Sequence, residues 1–398
     1  MIILGIETSC DETALALLET RIRDGVFECK VIASEIHSQA DLHSPYGGVF
    51  PTLAKREHEK KLVPMLKELL ENQGDTDNIA QSETFSLLVE EFRVEFRDQN
   101  TDLFDSFEQS PFLSHKPQID AIAVTEGPGL EPALWTGITF AKMLSRLWEV
   151  PLVPVNHMEG HVVGSLLNSD IPEGEWQALK PLPTPALALL ISGGHTELVS
   201  ITHSNLSNFK YSIIGQTKDD AVGEAFDKAA RLIGLPYPGG PHISKLAAQA
   251  REQNISSEIK LPRPMIASKD LDFSFSGLKT AVLYAVREVE KSGPITEEFK
   301  MALAREFEDA VTETLSTKLK KATEQTGAQS VIIGGGVSAN TMLRESFQRI
   351  ANEYGISLHL PSPHISGDNA LMIALAGALD TSSTTREIRA QGTKKLGV

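Results

Sequence analysis

The chain of 398 residues is 41% hydrophobic and 23% charged, as a globular protein of about two domains is and a disordered chain is not. With 53 acidic against 37 basic residues its formal charge is −16, which excludes a protein that holds nucleic acid by net charge alone. No run approaches the roughly 18 apolar residues that a membrane span needs.

Met1 leads straight into Ile2-Ile3-Leu4, so no signal or transit peptide is expected, and Cys10 and Cys29 suit a reducing compartment. The expectation is a soluble protein of the cytoplasm. Ile2–Ile6, Ala14–Leu18 and Glu28–Ile36 read as three short strands. The turn between the first two, Glu7-Thr8-Ser9-Cys10-Asp11-Glu12-Thr13, offers backbone N–H groups and hydroxyls to a phosphate, or Asp11 and Glu12 to a metal or an attacking group. A plain polar hairpin has the same look.

Tyr46-Gly47-Gly48 precedes a helix from Thr52 to about Glu71, in which His58 reads as a filler of the core or surface. Residues 72–118 are acidic, and Phe85, Leu88, Val89, Phe92 and Phe96 recur at steps of three and four. Leu103, Phe104 and Phe107 follow. This is a helical insertion whose apolar stripe must cover its own domain or a partner. Lys55, Arg56, Lys60 and Lys61 form one basic cluster, and Arg386, Arg389, Lys394 and Lys395 another; each reads as a solvated face.

A buried strand, Ile119–Thr125, ends at Glu126-Gly127-Pro128-Gly129, and a helix from about Leu134 to Glu149 leads to a short strand, Leu152–Val155. His157-Met158-Glu159-Gly160-His161 comes next, at a strand's carboxyl end, where open α/β sheets place ligands. If the segment is helical, the two imidazoles lie on one face within reach of one metal ion. Eleven histidines in 398 residues make about 0.3 such pairs by chance, so a third ligand is needed.

Pro181, Pro183 and Pro185 mark a joint, after which the order repeats. Strands Ala186–Ile191 and Thr196–Ile201 flank the turn Ser192-Gly193-Gly194-His195; a third strand, Tyr211–Ile214, leads to a helix from about Asp219 to Ile233. Helices Gly277–Lys291 and Thr296–Thr326 precede a strand, Ser330–Ile333, which ends in Gly334-Gly335-Gly336. A helix opening near Asn340, a strand Ile356–Leu360 and an apolar helix beginning at Asp368 close the chain.

The repeated order predicts a duplicated α/β protein, with the turns at 7–13, 126–129, 192–195 and 334–340 facing a nucleotide cleft. That is the actin-, Hsp70- and hexokinase-like (ASKHA) fold. The expected parts are a first subdomain at 1–155 carrying the insertion, a second at 156–366, and a C-terminal helix and basic tail at 367–398 that packs back on the first.

Together, Gly5–Thr13, Gly127-Pro128-Gly129, the His157–His161 pair, Leu190–Thr196, Asp219–Lys228, Tyr237–Pro241, Pro262–Met265, Leu271–Thr280, Gly334–Asn340 and Asp368-Asn369-Ala370 resemble the universal tRNA threonylcarbamoyladenosine transferase family, formerly called O-sialoglycoprotein endopeptidases. The resemblance implies an acyltransferase that moves a threonylcarbamoyl group from threonylcarbamoyl-AMP to the exocyclic amine of the adenosine 3′ of the anticodon, in tRNAs reading codons that begin with adenine. It implies that His157, His161 and Asp368 bind one divalent metal, Fe2+ or else Zn2+. It also implies that Leu190, Ile191, Ser192, Gly193, Gly194, Asp227, Gly240 and Asn340 hold the adenylate. Implied partners are tRNA and either a paralogous dimer partner with a small ATPase or a second copy of the chain, with no membrane. Asp11 and Glu12 are candidates for the general base.

The chain departs from the family at Gly367, where a Thr is usual, and at Thr52 and Lys55, where Glu and Ser are usual. A plain nucleotide phosphotransferase would explain the glycine turns and leave the histidines unexplained. A metalloprotease needs Glu directly after the first His, where Met158 stands.

Overall fold

The computed structural model describes residues 1–71, 77–78, 81–168, 173–203, 209–256, 259–380 and 387–397. The chain opens with β1 (Ile2–Glu7), β2 (Glu12–Arg23) and β3 (Val26–Ser38), then a single turn of helix, α1 (Ala40–His43), and the long α2 (Pro51–Glu71). β4 (Asp77–Asn78) pairs with β5 (His115–Lys116) at the base of the insertion, which holds α3 (Gln81–Phe96) and α4 (Thr101–Glu108). β6 (Ala121–Gly127), α5 (Glu131–Trp148), β7 (Leu152–Asn156), α6 (His157–Gly164) and β8 (Trp176–Ala178) complete the first half.

The second half runs β9 (Ala186–Ile191), β10 (Thr196–His203), β11 (Phe209–Gln216), α7 (Val222–Leu232), α8 (Gly239–Glu252), α9 (Ser276–Glu290) and α10 (Glu297–Thr326). β12 (Ser330–Gly334), α11 (Thr341–Tyr354), β13 (Ser357–His359) and α12 (Ala370–Leu379) follow.

Among the described residues the main sheets have the orders β7-β6-β1-β2-β3-β8 and β11-β10-β9-β12-β13. Without the edge strand β8, both place an antiparallel hairpin and third strand beside two parallel strands. Both also carry a register shift in the hairpin, at Leu17/Leu18 and at Leu198/Val199. The duplicated ASKHA plan is therefore present strand for strand.

Side-chain alternation gives each sheet two apolar faces that must be covered. One face of the first sheet is covered by α2, α5 and the insertion: Phe92, Phe96, Phe104 and Phe107 share a core with Leu62, Leu66 and Leu144. The insertion's stripe thus covers its own lobe, with Phe92 and Phe107 edge to face at 5.9 Å. The opposite face takes α12, whose residues pack with Ile3, Ala16 and Val153. The second sheet has α7 to α11 on one face and Met158, Val162 and Leu166, from and just after α6, on the other.

Several boundaries differ from expectation. β2 and β3 extend as a ribbon to Arg23 and Val26, where alternation gives way to solvated residues. The helix expected from Asp219 starts at Val222, because the Asp219 carboxylate accepts the N–H groups of Phe275 and Ser276 at the head of α9. The second basic cluster is not simply a solvated face: Lys394 forms a buried ion pair with Glu126, Arg389 pairs with Glu387, and Arg386 lies outside the described residues. Residues 72–76 and 79–80 of the insertion also lie outside them.

Candidate active site

The chain turns from β7 directly into α6 because Asn156 caps the helix, its Oδ1 accepting the N–H groups of Met158 (2.9 Å) and Glu159 (3.4 Å). The helix therefore begins at His157, and His161 follows one turn later with ring centroids 4.7 Å apart. Asp368 comes from the far end of the chain. Asn369 caps α12 through the Met372 N–H, and its amide nitrogen donates to the carbonyls of Ile365 (3.0 Å) and Gly367 (2.9 Å), which pins the loop bearing Asp368.

Glycines at the contact admit α12 this closely, Gly5 and Gly160 among them. A Cβ on Gly5 would stand 2.2 Å from the Ala370 carbonyl oxygen, and one on Gly160 would stand 3.1 Å from the Met372 and Ile373 side chains. As a result Asp368 Oδ1 lies 3.1 Å from His161 Nε2 and 3.3 Å from His157 Nε2. One ligand atom from each of the three lies within 4.8 Å of the other two. Two atoms each about 2.1 Å from one ion stand roughly 3 Å apart, so this set of two buried imidazoles and a half-buried carboxylate fits a divalent metal.

Behind the set stands Glu7, a residue that sequence reasoning quoted in a motif without a role. His157 Nδ1 lies 3.1 Å from Glu7 Oε2, which also accepts from Thr125 Oγ1. A carboxylate on one imidazole nitrogen fixes the tautomer and aims the other nitrogen at the ligand position. Burial opposes ionisation of Glu7, yet the His157 charge draws its carboxyl below the usual value. Burial likewise opposes ionisation of Asp368, and His157 and His161 overcome it, holding that carboxyl well below the carboxylate range. Gly367 borders open space, with nothing within 4 Å of where a Cβ would stand. Glu159 is occupied elsewhere, taking the Tyr211 hydroxyl at 3.0 Å.

Asp11 and Glu12 sit at the entry to β2. Their carboxyls hydrogen-bond to each other, and burial pushes both up, Glu12 well above its ordinary range with the Asp11 charge adding to it. Beneath them His58 touches the Cys10 carbonyl (3.0 Å) and Thr13 Oγ1 (2.7 Å). Burial drives His58 down to about 4, so it is a neutral prop for the turn, in keeping with the filler reading.

Across the cleft, the Ser192 N–H donates to the His195 carbonyl (2.9 Å), and the His195 N–H donates to Ser192 Oγ (3.1 Å). Gly193 and Gly194 are left exposed, with nothing within 4 Å of where a Cβ would stand. Leu190 and Ile191 differ: their side chains belong to the cores, so they can offer a ligand only backbone. Asp227 accepts the Gly239 N–H (2.7 Å) at the head of α8, beside Gly240, and burial pushes its carboxyl up to about 6. The Asn340 side chain is taken up internally: its oxygen caps α11 at Leu343, and its nitrogen donates to Ser244 Oγ (2.7 Å) and Glu308 Oε1 (2.6 Å). His195 carried no expected role, but it stands within the field of the ligand set. Burial, then the His157 and His161 charges, lower it to about 4, leaving a neutral imidazole.

The Asp11 charge also reaches Asp227 and Tyr237. Those two line a pocket of about 230 Å3 together with Arg231 and, from the first lobe, Ser44 to Gly47.

The sequence profile of the tRNA N6-adenosine threonylcarbamoyltransferase family matches residues 30–83 and 113–375. The chain belongs to that family. The span that the profile passes over, 84–112, contains all of α4 and most of α3. Relatives bearing the family name are 40% identical over 382 residues in Burkholderia ambifaria (95% of this chain, 92% of the relative) and 40% identical over 379 residues in Paraburkholderia xenovorans, with the same coverage. Solved structures similar over 95% of this chain include component A of the Acidaminococcus fermentans (R)-2-hydroxyglutaryl-CoA dehydratase, at 11% identity, a TM-score of 0.43 and 96% of that chain. Full-length HypF is another, at 13% identity, a TM-score of 0.45 and 55% of that chain.

Proposed function

We propose that this family member makes threonylcarbamoyladenosine in tRNA, moving the threonylcarbamoyl group from threonylcarbamoyl-AMP to the exocyclic amine of the adenosine 3′ of the anticodon in tRNAs that read codons beginning with adenine. The observation that carries the reading is the 40% identity, over 95% of the chain, to relatives named for that activity.

His157, His161 and Asp368 would hold one divalent metal, iron or zinc, which supplies a Lewis acid for charge developing on a phosphate or carbamoyl oxygen. The bare amides of Gly193 and Gly194 suit the phosphate, and Asp227, beside Gly240, suits ribose hydroxyls. Leu190, Ile191 and Asn340 contribute backbone to the same wall. In the transfer, the adenine amine nitrogen bonds to the carbamoyl carbon, the bond from that carbon to the phosphate oxygen breaks, and AMP leaves. We assign the amine proton to the Asp11–Glu12 pair, whose basicity burial raises.

The reaction needs no nucleophile from the protein. We place it in the cytoplasm, with a paralogous partner and a small ATPase or with a second copy of the chain. Among the described residues no helix is long and apolar enough to cross a membrane.

The test is nucleoside mass spectrometry of tRNA from cells depleted of their own transferase and supplied with this chain or its His157→Ala variant. Restored threonylcarbamoyladenosine with the wild type alone is the expected result. Absence with both, when the protein is folded and its partners are supplied, would falsify the reading.

A further inference from the structure

Tyr46 and Phe50 are 62% and 53% exposed and stack on each other, with centroids 5.7 Å apart and planes 24° from parallel. Large rings on a surface forgo the burial that usually stabilises them. These two do not sit on a loose loop. The Gly47 N–H donates to the Ser44 carbonyl at 3.0 Å, with Gly47 at φ 68°. The Phe50 N–H donates to Nδ1 of the fully buried His43 (3.3 Å), and the Phe50 carbonyl accepts the first N–H groups of α2, from Leu53 and Ala54.

The pair stands at the rim of the cleft. Tyr46 is one wall of the 230 Å3 pocket, with Asp227, Arg231 and Tyr237 opposite. A Cβ on Gly47 would come 3.3 Å from Arg231 Nη1, so the guanidinium closes over that side. At about 230 Å3 the pocket is smaller than the roughly 300–1,000 Å3 that buries a whole drug-sized ligand. Local charge runs against the whole-chain balance: between Pro51 and Lys61 there are four cations against two acids, and with Lys55 paired to Glu59 and Lys60 to Glu57 the excess falls on Arg56 and Lys61. Arg56 is exposed and makes no ion pair among the described residues.

We infer that the Tyr46–Phe50 pair is a stacking platform for an unpaired base of the RNA's anticodon loop. It seats that base at the rim while Arg56 and Arg231 face the adjoining phosphates. The inference rests on the proposed transfer to tRNA. Unpaired RNA bases are read by stacking on aromatic and guanidinium planes, and such stacking tolerates any base. A chain of charge −16 draws little affinity from the phosphate backbone, so contacts of this kind carry more of the binding.

The test uses the full chain, Phe50→Ala, Tyr46→Ala/Phe50→Ala and the ring-preserving Phe50→Tyr, with their melting temperatures compared first. An anticodon stem–loop transcript carrying 2-aminopurine beside the target adenosine reports stacking by quenching. Steady-state transfer separates the KM for tRNA from that for the adenylate. Expected are quenching by the wild type and Phe50→Tyr, its loss in both alanine variants, and a roughly tenfold or larger rise in the KM for tRNA with the adenylate KM unmoved. Unchanged quenching and KM in a wild type that transfers normally overturn the platform alone. A parallel rise in the adenylate KM assigns the rings to the adenylate pocket, and a defect seen only with partner proteins assigns them to a protein; either overturns the inference. A folded wild type that transfers to no tRNA removes the proposed function and the platform with it.

Discussion

On the His157 wall of the cleft the polar groups already have protein partners. His157 lies between Glu7 and Asp368, His161 meets Asp368, and Glu7 is held by Thr125 and the Ser9 N–H. On the Gly193 wall the turn closes on itself and on α7, where the Ser192 carbonyl accepts the Gly223 N–H at 3.2 Å, and its two glycines border open space. The first wall is preorganised by side chains that reach across distant segments. The second joins backbone, shaped by a hairpin with two exposed glycines, to a single carboxylate, Asp227. Substitution should therefore damage the two walls in different currencies: metal affinity and fold on one, nucleotide affinity and pH dependence on the other.

The sharpest way to separate them is Asp368→Ala. It leaves two imidazoles without their shared carboxylate, and bound metal and transfer should both fall, transfer by roughly 10²–10³-fold or more. Elemental analysis of the purified protein checks the first and single-turnover assays the second. Full activity in this variant would collapse the distinction between the walls. Glu7→Gln keeps the shape and weakens the orienting bond, so metal affinity should drop roughly 10–100-fold in a competition titration with a chelator, while adenylate affinity holds.

On the other wall, Asp227 is proposed to meet ribose hydroxyls as a carboxylate, and burial raises it to about 6 in the free protein. Adenylate affinity should be flat above pH 6 and fall about tenfold for each unit below it. In the same window the raised value stabilises the fold as pH falls, a contribution complete below the ordinary Asp range and lost as pH rises through 6. Calorimetric titration of wild type and Asp227→Asn checks this; a variant with the same slope would assign the titration elsewhere. The smallest change is Gly5→Ala, whose one methyl would meet the backbone of α12. It should cost about 1–3 kcal/mol in chemical denaturation and loosen the metal without touching the adenylate.

The same contrast governs how much could be read from the amino-acid order. The strands and glycine turns were legible because each is a local pattern: an apolar run, then residues that suit a sharp turn. The histidine pair was legible as a spacing once α6 was taken to start at a strand end. Asp368 entered through resemblance, since nothing local joins it to residues some 200 positions away. Glu7 was hidden for that reason: its role exists only when β1 lies beside α6. The helix Gly239–Glu252 was missed although Ile243, Leu246, Ala247 and Ala250 repeat at helical steps, because Gly239-Gly240-Pro241 reads as a loop. Edge strand β8 has three residues, too few for any periodicity. Asn340 was legible as a helix opener, and its bonds to Ser244 and Glu308 follow from packing alone.

The position of α12 also sets a timetable for synthesis. The helix that covers β1 and carries Asp368 at its head belongs to the last thirty-odd residues of the chain, whereas His157 emerges 211 residues earlier. At about 5–20 residues per second, the ribosome holds the first sheet with one apolar face uncovered for roughly 10–40 s after the histidines are made. Over that interval the nascent chain has two imidazoles but not their third ligand. Loading of the proposed metal and closure of the first lobe are thereby deferred to the same late moment, and a ribosome that stalls before residue 368 leaves a product with neither.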